Sequence, residues 1–276
     1  MEVVVVDDAS IDQTAEVCRS IPGITYIRLN QNEGVAGARN AGINASSSEF
    51  IALLDDDDIR LSGTIDLQVA ALKKADAAMI YGQALFAGAT DRLNQERYPD
   101  PCPTGDVFWQ LLTQNFIPSG SVVIRRSCLP GHNPFVPTIA GIDDWDLWLR
   151  IAANHSIVAV EEPVVIWRRP SPGSDQGSAR AVEIVKSSTS QFQNSWLKMP
   201  KVGAAEPDRK RRAIRQFSEN MASHLVNEAI RSVSCGELIN ANRCLLTAVR
   251  FHSRGLLSRV AREFSSKEKS RTDFIT

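Results

Sequence analysis

Long apolar runs are absent from this sequence of 276 residues. No stretch approaches the roughly 20 consecutive apolar residues that a helix needs to span a bilayer, so we expect no such helix. Cysteine is sparse as well, with five residues and no CxxC or Cys/His spacing. The odd number and the spacing argue against a disulfide framework and a zinc site, and they are typical of reduced thiols in a cytoplasmic protein.

An overall excess of charge of either sign is also absent, because the formal net charge is -1. The distribution is nevertheless uneven: residues 1–200 hold 16 Lys+Arg and 24 Asp+Glu, whereas residues 201–276 hold 15 and 8. We therefore expect a boundary near residue 200, between an acidic body and a basic helical C-terminal region. A solvated helical surface is the ordinary interpretation of this basic region, and contact with anionic lipid is the alternative.

The body of the sequence alternates short apolar runs with helical segments. Runs such as EVVVV (2–6), ITYIRL (24–29), FIALL (50–54) and SVVIR (121–125) are typical of buried strands. The alternation predicts an α/β domain with a mostly parallel sheet flanked by helices. Because ligands bind beyond the carboxyl ends of parallel strands, the acids that follow VVVV and IALL indicate a site at that edge.

Two local patterns predict helices. The segment SIDQ has the Ser-x-x-Gln form of a capping box, which predicts a helix that begins near Ser10. In the C-terminal region, apolar residues recur at helical spacing and predict one buried stripe. The residues of this stripe are Ile214, Phe217, Met221, Leu225 and Ala229.

Four consecutive carboxylates, Asp55 to Asp58, follow the apolar run IALL. One or two acids at a strand end are commonly just a solvated turn, but four repel one another unless a cation relieves the repulsion. Hard carboxylate oxygens suit Mg²⁺ or Mn²⁺, and these ions complete their coordination with water and substrate phosphates. The run therefore predicts a metal–phosphate site, with a solvated loop as the alternative.

Lysine is missing between Lys74 and Lys186, and this gap excludes one family. A response-regulator receiver domain also has VVDD after one strand and an acceptor aspartate after a later strand, a pattern that Asp7, Asp8 and Asp55 resemble. That family needs a lysine at the end of a later strand to hold the phosphoryl group. The receiver interpretation therefore fails.

A second resemblance covers much more of the chain, from about residue 2 to about residue 170. The segments VVVVDDASIDQTAE, NQNEGVAGARNAGI, FIALLDDDDI and GIDDWDLWLRIA, followed by a strand ending VVIWRR, resemble the successive signatures of glycosyltransferase family 2 in their order. Each segment alone is a weak signal, but four in order are a strong one. The resemblance implies a GT-A fold that binds a nucleotide-sugar, inverting chemistry and a divalent metal ion, Mn²⁺ or Mg²⁺.

The resemblance also implies roles for individual residues. Asp8 matches the family aspartate that hydrogen-bonds the nucleobase, and Asp7 is its neighbour. Asp55 matches the first acid of the D-x-D motif, near the ribose, and Asp57 matches the second, which binds the metal. Arg39 matches an arginine near the nucleotide, and its alternative interpretation is a surface salt bridge.

Asp144 matches the catalytic base, the second acid of the family's acidic pair. Helical spacing supports an inward position, because Asp144 shares a face with Leu147, Trp148 and Ile151. The alternative is a helix N-terminal acid stabilised by the helix dipole, which would lower its pKa. Desolvation beside the tryptophans would raise the pKa, and the sequence does not decide between the two effects.

Other residues of this helix have structural explanations. Asp146 and Arg150 are spaced as an i, i+4 ion pair, which we place on the outer side of the helix. Trp145, Trp148 and Trp167 could stack on sugar rings, but aromatic residues at helical spacing are more often part of a core.

The family normally has a strand and a helix before the segment that corresponds to VVVVDD. We expect the true start of the protein to lie upstream, with two alternatives: another element fills the gap, or the chain is a non-catalytic remnant that binds nucleotide-sugars. Without that strand, two strand edges are left unpaired inside the fold.

The resemblance implies transfer of a sugar from a nucleotide-diphosphate donor to a saccharide or lipid-linked acceptor, in the synthesis of cell-surface polysaccharide. We expect a cytoplasmic protein at the inner face of the membrane, with peripheral contact through the basic region and with no nucleic acid among its partners.

Overall fold

The computed structural model describes residues 1–87, 93–139, 141–168 and 180–251. The chain divides into two compact units, Met1–Ser171 and Pro172–Thr276. This division lies earlier in the sequence than the boundary near residue 200 that the charge distribution predicts, and that boundary stays a prediction. The end of the basic region and the last residue of VVIWRR lie outside the described residues.

The first unit alternates strands and helices, as the sequence predicts. Its elements are β1 (Val3–Asp7), α1 (Thr14–Ser20), β2 (Ile24–Arg28), α2 (Gly34–Ala45), β3 (Phe50–Ala52), β4 (Ile59–Arg60), α3 (Thr64–Lys74), β5 (Met79–Ala87), β6 (Leu93–Tyr98), α4 (Phe108–Thr113), β7 (Val123–Arg125), α5 (Asp143–Asn154) and β8 (Ile157–Arg168).

The first two strands form a sheet of their own. They are parallel, and Asp7 lies opposite Arg28 in the register. The strand predicted from EVVVV is confirmed, although only Asp7 within it is buried. Within the part of the chain that the structure describes, β1 pairs only with β2 and β3 pairs only with β7. Among the described residues, β1 and β3 therefore each have one unpaired edge, as the sequence predicts for a fold without the strand that would lie between them.

The other six strands form one sheet in the order β3-β7-β5-β8-β4, with β6 paired to β5. This sheet is mixed, so the prediction of a mostly parallel sheet is wrong in detail: β5 and β8 are parallel, but β3–β7, β4–β8, β5–β6 and β5–β7 are antiparallel. Two physical reasons explain the error. A buried apolar run has the same pattern in either direction, and the short connection from β5 to β6 permits only antiparallel pairing.

Strand β5 lies in the middle of the core. Its residues Met79, Ile80 and Tyr81 are fully buried, and Ile80 packs in one cluster with Leu72 of α3 and Val123 of β7. Burial of large apolar side chains of this kind contributes roughly 1.5–3 kcal/mol each. The result is a packed framework that fixes the turns at the strand ends.

Helix α1 begins at Thr14, and the capping box predicted at Ser10 is not formed. The backbone N–H of Ser10 instead donates to Oδ1 of Asp7 at 2.7 Å. Gln13 is the N-cap residue and makes no side-chain cap hydrogen bond, while Oδ1 of Asp12 accepts the N–H of Thr14 at 3.0 Å. The interaction of Ser10 with the end of β1 thus delays the start of the helix by about one turn.

The second unit is helical. It contains α6 (Ala181–Asn194), α7 (Pro200–Gly203), α8 (Pro207–Ser234) and α9 (Leu238–Phe251). The rings of Phe192 and Phe217 stack with centroids 3.9 Å apart. The predicted stripe on α8 is confirmed at Phe217, Met221, Leu225 and Ala229, which are buried, and is wrong at Ile214, which is exposed. No helix of the described residues combines the length and the apolar character needed to cross a membrane.

Candidate active site

The four aspartates form a turn directly after β3. The N–H of Asp58 donates to the carbonyl oxygen of Asp55 at 3.1 Å and closes the turn. Strand β4 begins at the next residue, so the turn is held between two strands of the same sheet. Asp56 is exposed, whereas Asp57 is only partly exposed. We call Asp55 to Asp58 the acid turn.

Arg39 of α2 connects the acid turn to the N-terminus of α5. Its Nη2 donates to Oδ1 of Asp55 at 2.7 Å, and its Nη1 donates to Oδ2 of Asp143 at 3.0 Å. Ser119 completes the group, since its hydroxyl donates to Oδ2 of Asp55 at 3.1 Å. The guanidinium also lies over the ring of Phe135, 5.3 Å from the centroid. One side chain thus joins residues from three distant parts of the sequence.

Two neighbouring carboxylates keep the guanidinium of Arg39 in its charged form. Its side chain is only 12% exposed. Burial alone would lower the pKa of the guanidinium, but the nearby charges of Asp55 and Asp143 raise it above its ordinary value. Arg39 therefore forms salt bridges, but they are largely buried, so the alternative of a surface salt bridge is wrong; its place near the nucleotide stays a prediction.

Asp58 is the acid of the turn with the least favourable environment for charge. Burial, followed by repulsion from Asp57 and Asp55, raises the pKa of its carboxyl to about 7. The N–H of Arg168 donates to Oδ1 of Asp58 at 3.2 Å and only partly opposes this effect. Like charge within the acid turn thus adds to burial in disfavouring the ionised form of Asp58.

Asp144 lies in the first turn of α5. Burial, followed by the charge of Asp143, raises the pKa of its carboxyl to about 7. Arg39 and the N–H of Trp145, which donates to Oδ1 of Asp144 at 2.5 Å, act in the opposite direction. Desolvation and like charge therefore prevail over Arg39 and the N–H of Trp145, so the pKa of Asp144 lies above its ordinary value.

The remaining residues of α5 have structural roles. Trp145 and Trp148 are buried, and the indole N–H of Trp145 donates to the carbonyl oxygen of Leu111 at 2.6 Å. The core interpretation of these two tryptophans is confirmed. The pair between Asp146 and Arg150 is present at 2.7 Å, but Asp146 is buried, so its predicted position on the outer side is wrong.

Asp8 holds the start of α2. Its Oδ1 accepts the N–H of Glu33 at 2.6 Å and its Oδ2 accepts the N–H of Gly34 at 2.8 Å. These N–H groups are unpaired within the helix, and the helix dipole favours an anion at this end. Both oxygens of Asp8 are therefore occupied by the backbone, and its nucleobase contact stays a prediction.

The carboxylate of Asp7 also accepts hydrogen bonds from neighbouring residues of the protein. Its Oδ2 accepts a hydrogen bond from the hydroxyl of Tyr26 at 2.5 Å and one from Nη1 of Arg28 at 3.3 Å. The bond from Tyr26, followed by those from Ser10, lowers the pKa of Asp7 to about 2. This carboxylate stays ionised and holds β1 against β2.

The fit of a metal ion depends on the acid turn. Among the described residues, no three side chains of His, Cys, Asp or Glu come together to hold a metal. Asp57 is partly exposed and belongs to the turn whose charge raises the pKa of Asp58. A carboxylate in this position fits a Mg²⁺ or Mn²⁺ ion that takes most of its ligands from water and from substrate phosphates. The residues therefore fit an ion shared with a substrate, and they do not form a cage.

Sequence reasoning missed two residues of this site. Ser119 carries no signal in its segment PSGS, because a serine before a strand is ordinary. Asp143 had a signal, as the first acid of the pair in IDDW, but the family resemblance gives the catalytic role to the second acid, Asp144. Its partner Arg39 lies 104 positions away, a separation that spacing alone does not bridge.

Comparison with known proteins supports the resemblance. The model of Glycosyl transferase family 2 matches residues 1–129. The uncharacterized glycosyltransferase YwdF of Bacillus subtilis is 28% identical over 183 residues, which are 64% of this chain and 66% of that protein. The UDP-Glc:alpha-D-GlcNAc-diphosphoundecaprenol beta-1,3-glucosyltransferase WfgD of Escherichia coli is 30% identical over 162 residues, 58% of this chain and 61% of that protein. The chain thus spans just under two thirds of the length of these two relatives.

A solved structure shows the same fold. The mannosyltransferase PcManGT of Pyrobaculum calidifontis, in complex with GDP-Man and Mn²⁺, superimposes with a TM-score of 0.55 at 16% identity and covers 96% of this chain and 70% of its own. The GT-A fold and the α/β class predicted from the sequence are confirmed. Residues 1–129, just under half of the chain, match the model of Glycosyl transferase family 2, and over this part the chain is similar to that family.

Proposed function

We propose that the protein is an inverting glycosyltransferase that moves a sugar from a nucleotide-diphosphate donor to a hydroxyl of a saccharide or a lipid-linked acceptor. The observation that carries the proposal is the convergence on Arg39: its guanidinium holds Asp55 of the acid turn at 2.7 Å and Asp143, the neighbour of Asp144, at 3.0 Å. Sugar transfer requires that the residues that bind the donor and the base that activates the acceptor be held in a fixed position relative to one another, and Arg39 connects the two.

Asp144 is the general base of this proposal. With a pKa of about 7, its carboxylate is ionised in a large fraction of molecules near neutral pH and still accepts a proton readily. It takes the proton of the acceptor hydroxyl while that oxygen bonds to the anomeric carbon. The bond from the anomeric carbon to the diphosphate oxygen breaks on the opposite face, the electron pair leaves with the nucleoside diphosphate, and the configuration inverts.

Sugar transfer also requires that the negative charge on the departing nucleoside diphosphate be stabilised. Arg39 is already neutralised by two carboxylates, so it supplies little net positive charge to a diphosphate. The like charges of the acid turn favour a cation there, and we assign Asp57 as its protein ligand. When bound, a Mn²⁺ or Mg²⁺ ion supplies Lewis-acid stabilisation of the diphosphate charge. This assignment makes the enzyme metal-dependent.

The other donor contacts follow the family resemblance. We assign Asp55 to the ribose, and Asp8, with Asp7 beside it, to the nucleobase. Because the carboxylates of Asp7 and Asp8 already accept hydrogen bonds from the protein, we place their contribution mainly in shaping the end of β1. Arg39 acts in the same way, since it fixes the position of Asp55 against α5.

The acceptor class rests on the relatives. The name of WfgD specifies a sugar linked through diphosphate to undecaprenol as its acceptor. We extend this class to the present chain and propose a role in the synthesis of a cell-surface polysaccharide, on the cytoplasmic side of the membrane. The acceptor is then a saccharide, free or linked to lipid.

Isothermal titration of the full chain with a panel of nucleotide-sugars, in the presence of Mn²⁺, tests the proposal. A donor-hydrolysis assay with the donors that bind follows. Saturable binding together with release of nucleoside diphosphate supports the enzyme. Binding without any release, repeated in the presence of lipid-linked and free saccharides, supports instead a non-catalytic nucleotide-sugar-binding protein.

A further inference from the structure

Helix α9 exposes an unusual number of large apolar side chains. Its buried face consists of the small residues Ala241, Cys244 and Ala248. Five large apolar residues lie elsewhere on the same helix, with exposed fractions of 67%, 83%, 37%, 59% and 51%. We call them the α9 stripe: Leu238, Ile239, Leu245, Leu246 and Val249.

The α9 stripe is continuous around the helix. At 100° per residue, its five positions fall within an arc of about 120°. Of the described residues, Asn242 is the polar one that falls inside this arc. A helix on the surface of a globular protein normally presents charged and polar residues on its outer face. Contiguous exposed apolar surface of this kind marks an interaction site.

The sequence that follows α9 repeats the same apolar spacing. Leu256 and Val260 stand seven and eleven positions after Val249, and Leu257 and Phe264 continue the series of Leu246. A pattern that continues over more than twenty residues is not explained by packing of α9 on α8 alone.

Charge decides which partner the α9 stripe fits. Residues 238–264 contain five arginines and a single acid, Glu263. Arg243 is exposed and pairs with Glu183 of α6 at 2.8 Å. Exposed bulky apolar residues within an arginine-rich stretch of sequence are typical of segments that lie in the interface of an anionic membrane.

A second copy of the chain is a poorer occupant. Two such surfaces would bring like charges together, which opposes their association. Five side chains also fall well short of the roughly 20–30 residues on each side of a standard protein interface.

We propose that the α9 stripe docks the protein on a membrane that contains anionic lipids. The apolar side chains enter the boundary between headgroups and acyl chains, and the arginines contact lipid phosphates. This surface belongs to the second unit of the chain, and binding to vesicles is measured without a glycosyl donor. Failure of this proposal is therefore distinguishable from failure of the proposed enzymatic function.

Cosedimentation of the full-length protein with vesicles tests the proposal. The vesicles contain phosphatidylcholine with or without phosphatidylglycerol, and the variants are the double variant I239S/L246S and the control L67S. Leu67 is a comparably exposed leucine on α3, at 41%. We expect wild type and L67S to bind the anionic vesicles, and the double variant to lose roughly tenfold or more in its partition coefficient. Binding should also weaken in 0.5 M NaCl, because salt screens the arginines.

Two control measurements distinguish loss of membrane binding from loss of folding and from binding that does not depend on anionic lipid. Circular dichroism establishes that I239S/L246S is folded, and the comparison of neutral with anionic vesicles uses wild type alone. Equal binding of I239S/L246S and L67S, or no binding of wild type to anionic vesicles, would overturn the proposal. So would analytical ultracentrifugation that shows a wild-type dimer in the absence of lipid and a monomeric double variant, because the stripe would then belong to a second copy.

Discussion

Arg39 and Asp143 form a largely buried ion pair, with Nη1 and Oδ2 3.0 Å apart across 104 positions of the sequence. Because the same guanidinium holds Asp55 at 2.7 Å, the acid turn and the N-terminus of α5 cannot move independently. The acid turn, where we propose that the donor binds, and the proposed base are thus linked through Arg39. The strength of this link and the chemistry that depends on it can be measured separately.

Replacement of Arg39 by alanine should destabilise the fold. Asp143 would be left buried without its counter-charge, and breaking a buried pair in this way costs about 3–5 kcal/mol. The free energy of unfolding from urea titration measures the loss. Arg39→Lys should recover only part of it, because an ammonium does not reproduce the planar fork that contacts both carboxylates.

The double variant R39A/D143N provides the matched control for this pair. Asp143→Asn removes the carboxylate that R39A leaves buried without a counter-charge, so the double variant should be more stable than R39A. The double-mutant cycle gives the coupling energy between the two residues. If R39A alone unfolds at the same urea concentration as wild type, the pair does not stabilise the fold.

Asp144→Asn should abolish transfer and leave donor binding intact. General base catalysis contributes about 10²- to 10⁴-fold, and the asparagine oxygen still accepts the N–H of Trp145. Initial rates and donor titrations measure the two effects. Asp56→Asn is the control, since this acid is exposed and should keep both properties. Full activity of Asp144→Asn would remove Asp144 from the mechanism.

Transfer should depend on pH through Asp144. The base acts when it is deprotonated, so the rate should rise with pH up to about 7 and then level off. A profile of initial rates between pH 5 and pH 9, with stability verified at each value, measures this. A rate that is already constant at pH 5 would place the pKa of the base at its ordinary value.

Asp144→Asn should also make the protein more stable at neutral pH. In wild type the pKa of Asp144 is raised from 3.8 to about 7, so between these values the folded state holds a proton that the unfolded state has lost, and stability falls as pH rises. The variant lacks this penalty. Its thermal midpoint should exceed that of wild type at pH 8, and the difference should shrink at pH 4. An equal difference at both values would contradict the shift.

Asp8→Ala should weaken the start of α2. The N–H groups of Glu33 and Gly34 would lose their acceptor, which costs about 1 kcal/mol, as for other helix N-terminal caps. Unfolding by urea measures the loss. Asp8→Asn retains an acceptor oxygen and should lose less. Donor affinity that falls further than stability in both variants would support the nucleobase contact as well.

The sequence predicted where the acids lie in the fold better than it predicted their electrostatics, and their roles stay predictions. A run of acids after a buried strand and an acid leading an apolar helical stripe identify Asp55, Asp57 and Asp144 by position. The balance of desolvation against the helix dipole at Asp144 depends on distances that spacing does not contain. The bridge made by Arg39 likewise depends on how α2 and α5 approach in three dimensions.

The fold was predictable in class and less so in detail. Alternating apolar runs identify an α/β domain, but a buried run has no direction, so the antiparallel pairs of the large sheet were missed. Local competition explains another error: the N–H of Ser10 donates to Asp7, and the first N–H of α1, that of Thr14, donates to Asp12. Asp146 is buried, and its partner Arg150 also donates to the carbonyl oxygen of Pro134, contacts that helical spacing alone does not reveal.

Titration of the full chain with nucleotide-sugar donors, with and without Mn²⁺, should be carried out on wild type, Asp57→Ala and Asp56→Ala. Asp57 is the proposed ligand of the metal that holds the donor diphosphate, and Asp56 is an exposed acid of the same turn. We predict that wild type and Asp56→Ala bind a donor in a Mn²⁺-dependent manner, and that Asp57→Ala loses this dependence together with at least tenfold in affinity. Unchanged, Mn²⁺-dependent donor binding by Asp57→Ala would contradict the assignment of the acid turn as the donor site.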